Sequence, residues 1–145
     1  MSFRKPFYVS IFCSLVCPSM PSIAHDGGGT LGNSGVSQQS WRINCFDDGL
    51  NGPAASLSFD VKARTKNRKF GVTATVTKDN LSAETTDAKS GDPKSSLPAS
   101  LSAGNGDYII QFTKSKPLKG ATVYSFTYHC QSASGASKGP DIFSN

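Results

Sequence analysis

The chain has 145 residues, a net charge of +5 at pH 7, and a composition that is 17% charged and 10% aromatic. That length suits one domain with a modest core. Setting aside the N-terminal segment described next leaves 13 basic against 10 acidic residues, or +3, too mild an excess to imply nucleic acid.

The first 24 residues read as a secretory signal. Arg4 and Lys5 supply the positive start and Phe7 to Cys17 a short apolar stretch. Pro18 and Pro21 break any helix, and Ser22 and Ala24 fit the small-residue cleavage rule. The apolar run is too short to span a bilayer. Val16 before Cys17 and Phe12 before Cys13 do not suit a lipid-anchor site, which wants a small residue there. Cleavage after Ala24 begins the mature protein at His25. It places the protein in the periplasm or outside the cell, with no transmembrane segment.

Residues 25–39 (HDGGGTLGNSGVSQQ) read as a flexible arm rich in Gly and Ser. Ser40 to Phe46 then alternates, with Trp41, Ile43 and Cys45 on one face, before turn signals at Asp47-Asp48-Gly49 and Asn51-Gly52-Pro53. Ser56 to Arg64 turns Leu57, Phe59, Val61 and Ala63 inward. Phe70 to Thr77 turns Phe70, Val72, Ala74 and Val76 inward. The two are expected to form a hairpin with its tip at Thr65 to Lys69. A weak strand is expected near Leu81 to Thr85, then a long loop to Pro98 and a short edge strand at Ala99 to Ala103. Strong strands follow at Asp107 to Thr113 and Thr122 to Gln131, the last with Tyr124, Phe126, Tyr128 and Cys130 on one face. From Ser132 to Asn145 the chain reads as a flexible tail.

Cys13 and Cys17 leave with the signal, so an exported protein retains Cys45 and Cys130, which most simply form one disulfide. Closing so long a loop is worth about 4 kcal/mol on the chain-entropy model. The expected fold is all-β: a two-sheet antiparallel β-sandwich of about seven strands, Ig-like or jelly-roll-like, over residues 40–131. Tyr128-His129-Cys130 resembles the tyrosine corner of immunoglobulin domains, although Trp41 precedes the first cysteine where that family places its tryptophan between the two. The span Leu97 to Tyr128 is similar to the closing strands of bacterial prepeptidase C-terminal domains. That resemblance implies a secreted β-sandwich of the kind appended to hydrolases and involved in binding surfaces. It carries no functional residue across.

Three groups of residues carry chemistry. His25, with its own α-amine after cleavage, and His129 make up the minimum donor set of a copper histidine brace, since amine and imidazole nitrogens in a square suit Cu(II). Asp47, Asp48 and Asn51 place hard oxygens in one loop, where they serve either Ca²⁺ or the capping of their own turns. Lys62, Arg64, Lys66, Arg68 and Lys69 form the densest charge run, suited to an anionic glycan or cell surface or simply to solubility. Lys114, Lys116 and Lys119 extend it if their loop lies at the same end. No aromatic residues interleave these cations for base stacking. A Gly-x-Ser-x-Gly elbow is absent, as is any phosphate-cradling glycine motif. The resulting expectation is an exported, non-enzymatic binding or structural module. The alternatives are a copper-binding protein using His25 and His129, and a subunit of a surface assembly whose arms dock on a neighbour.

Overall fold

A computed structural model describes residues 24–144 except positions 48, 68, 136, 139 and 140. It is an all-β sandwich of two antiparallel sheets. Strands in chain order are β1 (His25–Leu31), β2 (Gln38–Cys45), β3 (Ala54–Ala63), β4 (Val72–Lys78) and β5 (Leu81–Asp87). They continue as β6 (Ala99–Leu101), β7 (Gly106–Lys114), β8 (Thr122–Ser132), β9 (Ser137–Lys138) and β10 (Asp141–Ser144). One sheet runs β1-β8-β3-β6 with β9 also on β8, and the other runs β10-β2-β7-β4-β5.

Alternation builds the core. Leu57, Phe59 and Val61 of β3, Val72, Ala74 and Val76 of β4, Tyr108, Ile110 and Phe112 of β7, and Tyr124, Phe126 and Tyr128 of β8 are all buried. Their strands present these residues to the space between the sheets and their polar neighbours to solvent. Phe112 stacks on Tyr124 at 4.4 Å between ring centroids and meets Phe126 at 4.7 Å. Cys45 of β2 and Cys130 of β8 form the expected disulfide, which ties one sheet to the other.

Three expectations need correction. Residues 25–39 are not a free arm, because β1 pairs along its whole length with β8, from His25 opposite Tyr128 to Leu31 opposite Thr122. The glycines that suggest flexibility make room for aromatic rings. Gly27 lies opposite Phe126 in register, and a Cβ there would come within 2.6 Å of Phe126 Cε1. A Cβ on Gly29 would come within 2.8 Å of the Tyr124 hydroxyl. Rings on one strand cover the gap left by glycines on the next.

Strands β3 and β4 are not a hairpin. They lie in different sheets, β3 between β8 and β6 and β4 between β7 and β5. Both carry strong inward faces, and setting those faces opposite one another across the core buries both, whereas pairing side by side would leave one sheet short. The hairpin is instead β4–β5, closed by Asp79-Asn80 between Lys78 and Leu81, with Asp79 at a φ of 54°. The tail is also structured in part, since β9 pairs with β8 and β10 with β2 from Trp41 to Asn44. These additions bring the strand number to ten among the described residues, against about seven expected.

Candidate functional site

Topology places the loops 32–37, 64–71 and 115–121 at one end of the sandwich, along with the start of the loop that follows Asp87. Loops 46–53, 79–80 and 102–105 lie at the other end. The first end is tied together by Lys114, the last residue of β7. The alternation that buries Tyr108, Ile110 and Phe112 also carries Lys114 inward, and it is only 8% exposed. Its ammonium donates to the carbonyls of Ser34 at 2.9 Å, Leu118 at 3.1 Å and Gly120. It also lies 6.0 Å from the centroid of the Phe70 ring. A buried charge is tolerated where its hydrogen bonds are filled, and here filling them fastens two loops. Lys114 is therefore a structural clamp, and the expectation that it extends a surface patch is corrected.

Further contacts fix the same loops. Gly120 N donates to Asn33 O at 2.9 Å and Ser115 N to Gly71 O at 3.0 Å. Gly35 packs on the backbone of Pro117, where a Cβ would fall 2.6 Å from the carbonyl oxygen. Arg64 N donates to Val123 O at 2.7 Å, Val123 N to Thr65 Oγ1 at 2.8 Å and Ser90 N to Phe70 O at 2.9 Å. On this platform Arg64, Lys66, Lys69, Lys89, Lys116 and Lys119 are exposed. Arg64 also donates from Nε to Ser125 Oγ at 2.7 Å. Lys62 donates to Pro93 O at 2.8 Å in the loop that flanks β3, and Arg68 lies outside the described residues.

Acids are few at this end. The Asp87 carboxylate is buried and accepts from Ala63 N at 2.8 Å and Lys89 N at 3.1 Å, and Asp92 accepts from Lys94 N at 3.0 Å. Asp47, Asp79 and Asp107 sit at the opposite end with Lys78, whose ammonium lies 3.2 Å from Asp79 and donates to Ala103 O at 3.0 Å. Arg42 also lies at that end, 3.9 Å from Asp107, so acids and bases are mixed there while exposed cations predominate at the first end.

The two histidines do not converge. His25 faces Tyr128 in register and shares its inward side, with ring centroids 5.9 Å apart. His129 follows Tyr128 and so projects from the opposite face of the same sheet. Its neighbours across the strands are Ser58 and, diagonally, Asp60 and Asp26. Two imidazoles separated by a sheet cannot serve one square-planar ion in this arrangement. On the outer face Thr127 Oγ1 donates to Asp26 at 2.9 Å. Burial pushes the Asp60 carboxyl above its usual range, while a hydrogen bond with Ser95 and the charge of His129 pull it down and Asp26 pushes it up.

In the proposed calcium loop, Asp47 Oδ1 accepts from Gly49 N at 2.9 Å, the turn-capping role open to it from sequence. Asn51 is exposed, and Asp48 lies outside the described residues. No cluster of three or more His, Cys, Asp or Glu side chains suited to a metal occurs among the described residues. The segments that an assembly reading needs free, 25–39 and the tail, contribute strands β1, β9 and β10 to this sandwich.

Sequence reasoning missed the inward register of Lys114, although extending the alternation of Tyr108, Ile110 and Phe112 by one step reveals it. The same alternation turns Tyr108 inward but gives no sign that its hydroxyl donates to Gly104 O at 2.7 Å, four residues upstream. The fold defines the class: an all-β two-sheet sandwich closed by an inter-sheet disulfide. Comparison with protein-family models gives no match, and neither does comparison with curated proteins.

Proposed function

We propose that this protein is an exported, non-enzymatic binding module that docks its cationic end onto an anionic surface of the cell envelope. The observation that carries this reading is the gathering of Arg64, Lys66, Lys69, Lys89, Lys116 and Lys119 at one end. Lys114 pins the loop that bears Lys116 and Lys119, the Ser115–Gly71 and Ser90–Phe70 backbone bonds tie it to the segments that bear the others, and Asp47, Asp79 and Asp107 lie at the far end. Cations on a pinned platform lose less entropy on binding than cations on mobile loops. Their summed field attracts a polyanion and orients the approach. Export supplies the oxidising compartment in which Cys45 and Cys130 remain joined.

The test is retention on an immobilised anionic polysaccharide as salt is raised. Binding at low ionic strength should be lost by about 1 M salt, where the Debye length is ~3 Å. The pair Lys66→Glu and Lys116→Glu should elute much earlier than the unaltered protein. Retention indifferent to both salt and charge reversal would end this reading.

A further inference from the structure

The cationic end also carries exposed apolar tips, which a purely ionic contact with a glycan does not need. Val36 in loop 32–37 is 82% exposed, Leu118 in loop 115–121 is 36% exposed and Val123 at the start of β8 is 44% exposed. Pro117 is exposed beside Leu118. These residues belong to one surface. Lys114 binds the carbonyls of Ser34 and Leu118 together, Gly35 rests on Pro117, and Val123 exchanges hydrogen bonds with the Arg64–Thr65 segment. Lys116 and Lys119 flank the Pro117-Leu118 tip in sequence, and Arg64, Lys66 and Lys69 stand on the adjoining loop. Phe46, Leu50 and Leu81 are also exposed, but at the end that carries Asp47 and Asp79.

From this juxtaposition we infer that the surface bound by the cationic end is a bilayer of anionic lipid. The tips Val36 and Pro117-Leu118 enter the headgroup–acyl boundary, and the surrounding lysines pair with lipid phosphates. The inference rests on the docking reading above and names its partner. Peripheral membrane contacts combine these two elements, because buried apolar area and attraction to anionic headgroups add. Lysines suit the ring around such tips, since their long stems lie along apolar matter while the ammonium stays at the phosphate level. The end-on geometry leaves both sheets in water, so no strand need unpair and no transmembrane helix is required.

Co-sedimentation of the mature protein with vesicles tests this, using phosphatidylglycerol–phosphatidylcholine mixtures, phosphatidylcholine alone and, in parallel, an anionic polysaccharide resin. Three proteins suffice: unaltered, Lys66→Glu/Lys116→Glu, and Val36→Ser/Leu118→Ser. Both variants alter exposed positions, and their melting temperatures should match the parent. The expected result is binding to the mixed vesicles and none to phosphatidylcholine alone. Removal of the apolar tips should weaken it about tenfold while leaving retention on the polysaccharide unchanged. Charge reversal should weaken both, by about fivefold or more per lysine on vesicles. If vesicle binding is absent, or ignores the tips while polysaccharide binding still depends on charge, the lipid inference falls and the docking reading stands with a glycan as partner. If charge reversal changes neither, both fall.

Discussion

Replacing Lys114 by Met keeps most of the side-chain volume and removes the charge, which isolates the clamp. Three carbonyls, of Ser34, Leu118 and Gly120, lose their donor. Hydrogen bonds to a charged group contribute about 1.5–3 kcal/mol each in net terms, which sets an upper bound of roughly 5–9 kcal/mol. The bound is not reached, because the ammonium no longer has to be desolvated and loops at the end of a sandwich can admit water to the freed carbonyls. A net loss of about 2–4 kcal/mol is expected. For a domain of this size that lowers the melting temperature by roughly 10 °C. The assay is thermal unfolding followed by circular dichroism, paired with hydrogen exchange. Exchange should rise in residues 32–37 and 115–121 well before it rises in β4 and β7. A change below about 1 kcal/mol, or exchange that rises uniformly, would refute the clamp.

Gly27→Val should detach β1, because its side chain would occupy the place of the Phe126 ring. The expected cost is about 2–3 kcal/mol, with lost amide protection confined to residues 25–31. Thr30→Val, on the exposed face of the same strand, should cost almost nothing. Burial raises the phenols of Tyr108, Tyr124 and Tyr128 above their ordinary 10.0, that of Tyr124 to about 12, the bond from Trp41 lowering it only in part. A raised phenol disfavours the anion in the folded state, so its contribution to stability is complete below pH 10 and declines as pH climbs from 10 towards 12. Absorbance titration of the folded mature protein should therefore show little tyrosinate at pH 10. Tyr124→Phe should flatten the alkaline fall in stability, and a full tyrosinate signal at pH 10 in folded protein would contradict the burial of these rings.

Much of the sandwich was legible because alternation is a local property. Val61 and Phe126 face inward for reasons contained in their own strands, and an exported chain with two remaining cysteines leaves one simple pairing. The basic run around Lys66 was legible for the same reason, since neighbouring charges in sequence stay neighbours on a loop. Glycines at 27 and 29 were not, because flexibility and close approach to a ring need the same residue, and only the pairing of β1 with β8 distinguishes them.

Sequence by itself determined the all-β class, the inward faces of the strong strands and the joining of Cys45 to Cys130. Tertiary structure alone decided which strands are neighbours. It moved β3 and β4 into opposite sheets, put His25 and His129 on opposite faces of one sheet, and turned Lys114 from a surface cation into a clamp. The same step brought the loop of Val36 against the loop of Leu118, 82 positions further along the chain. Periodicity specifies which side of a strand is apolar, but partners far apart in sequence are selected by burying all such sides at once, and that choice is a property of the whole chain.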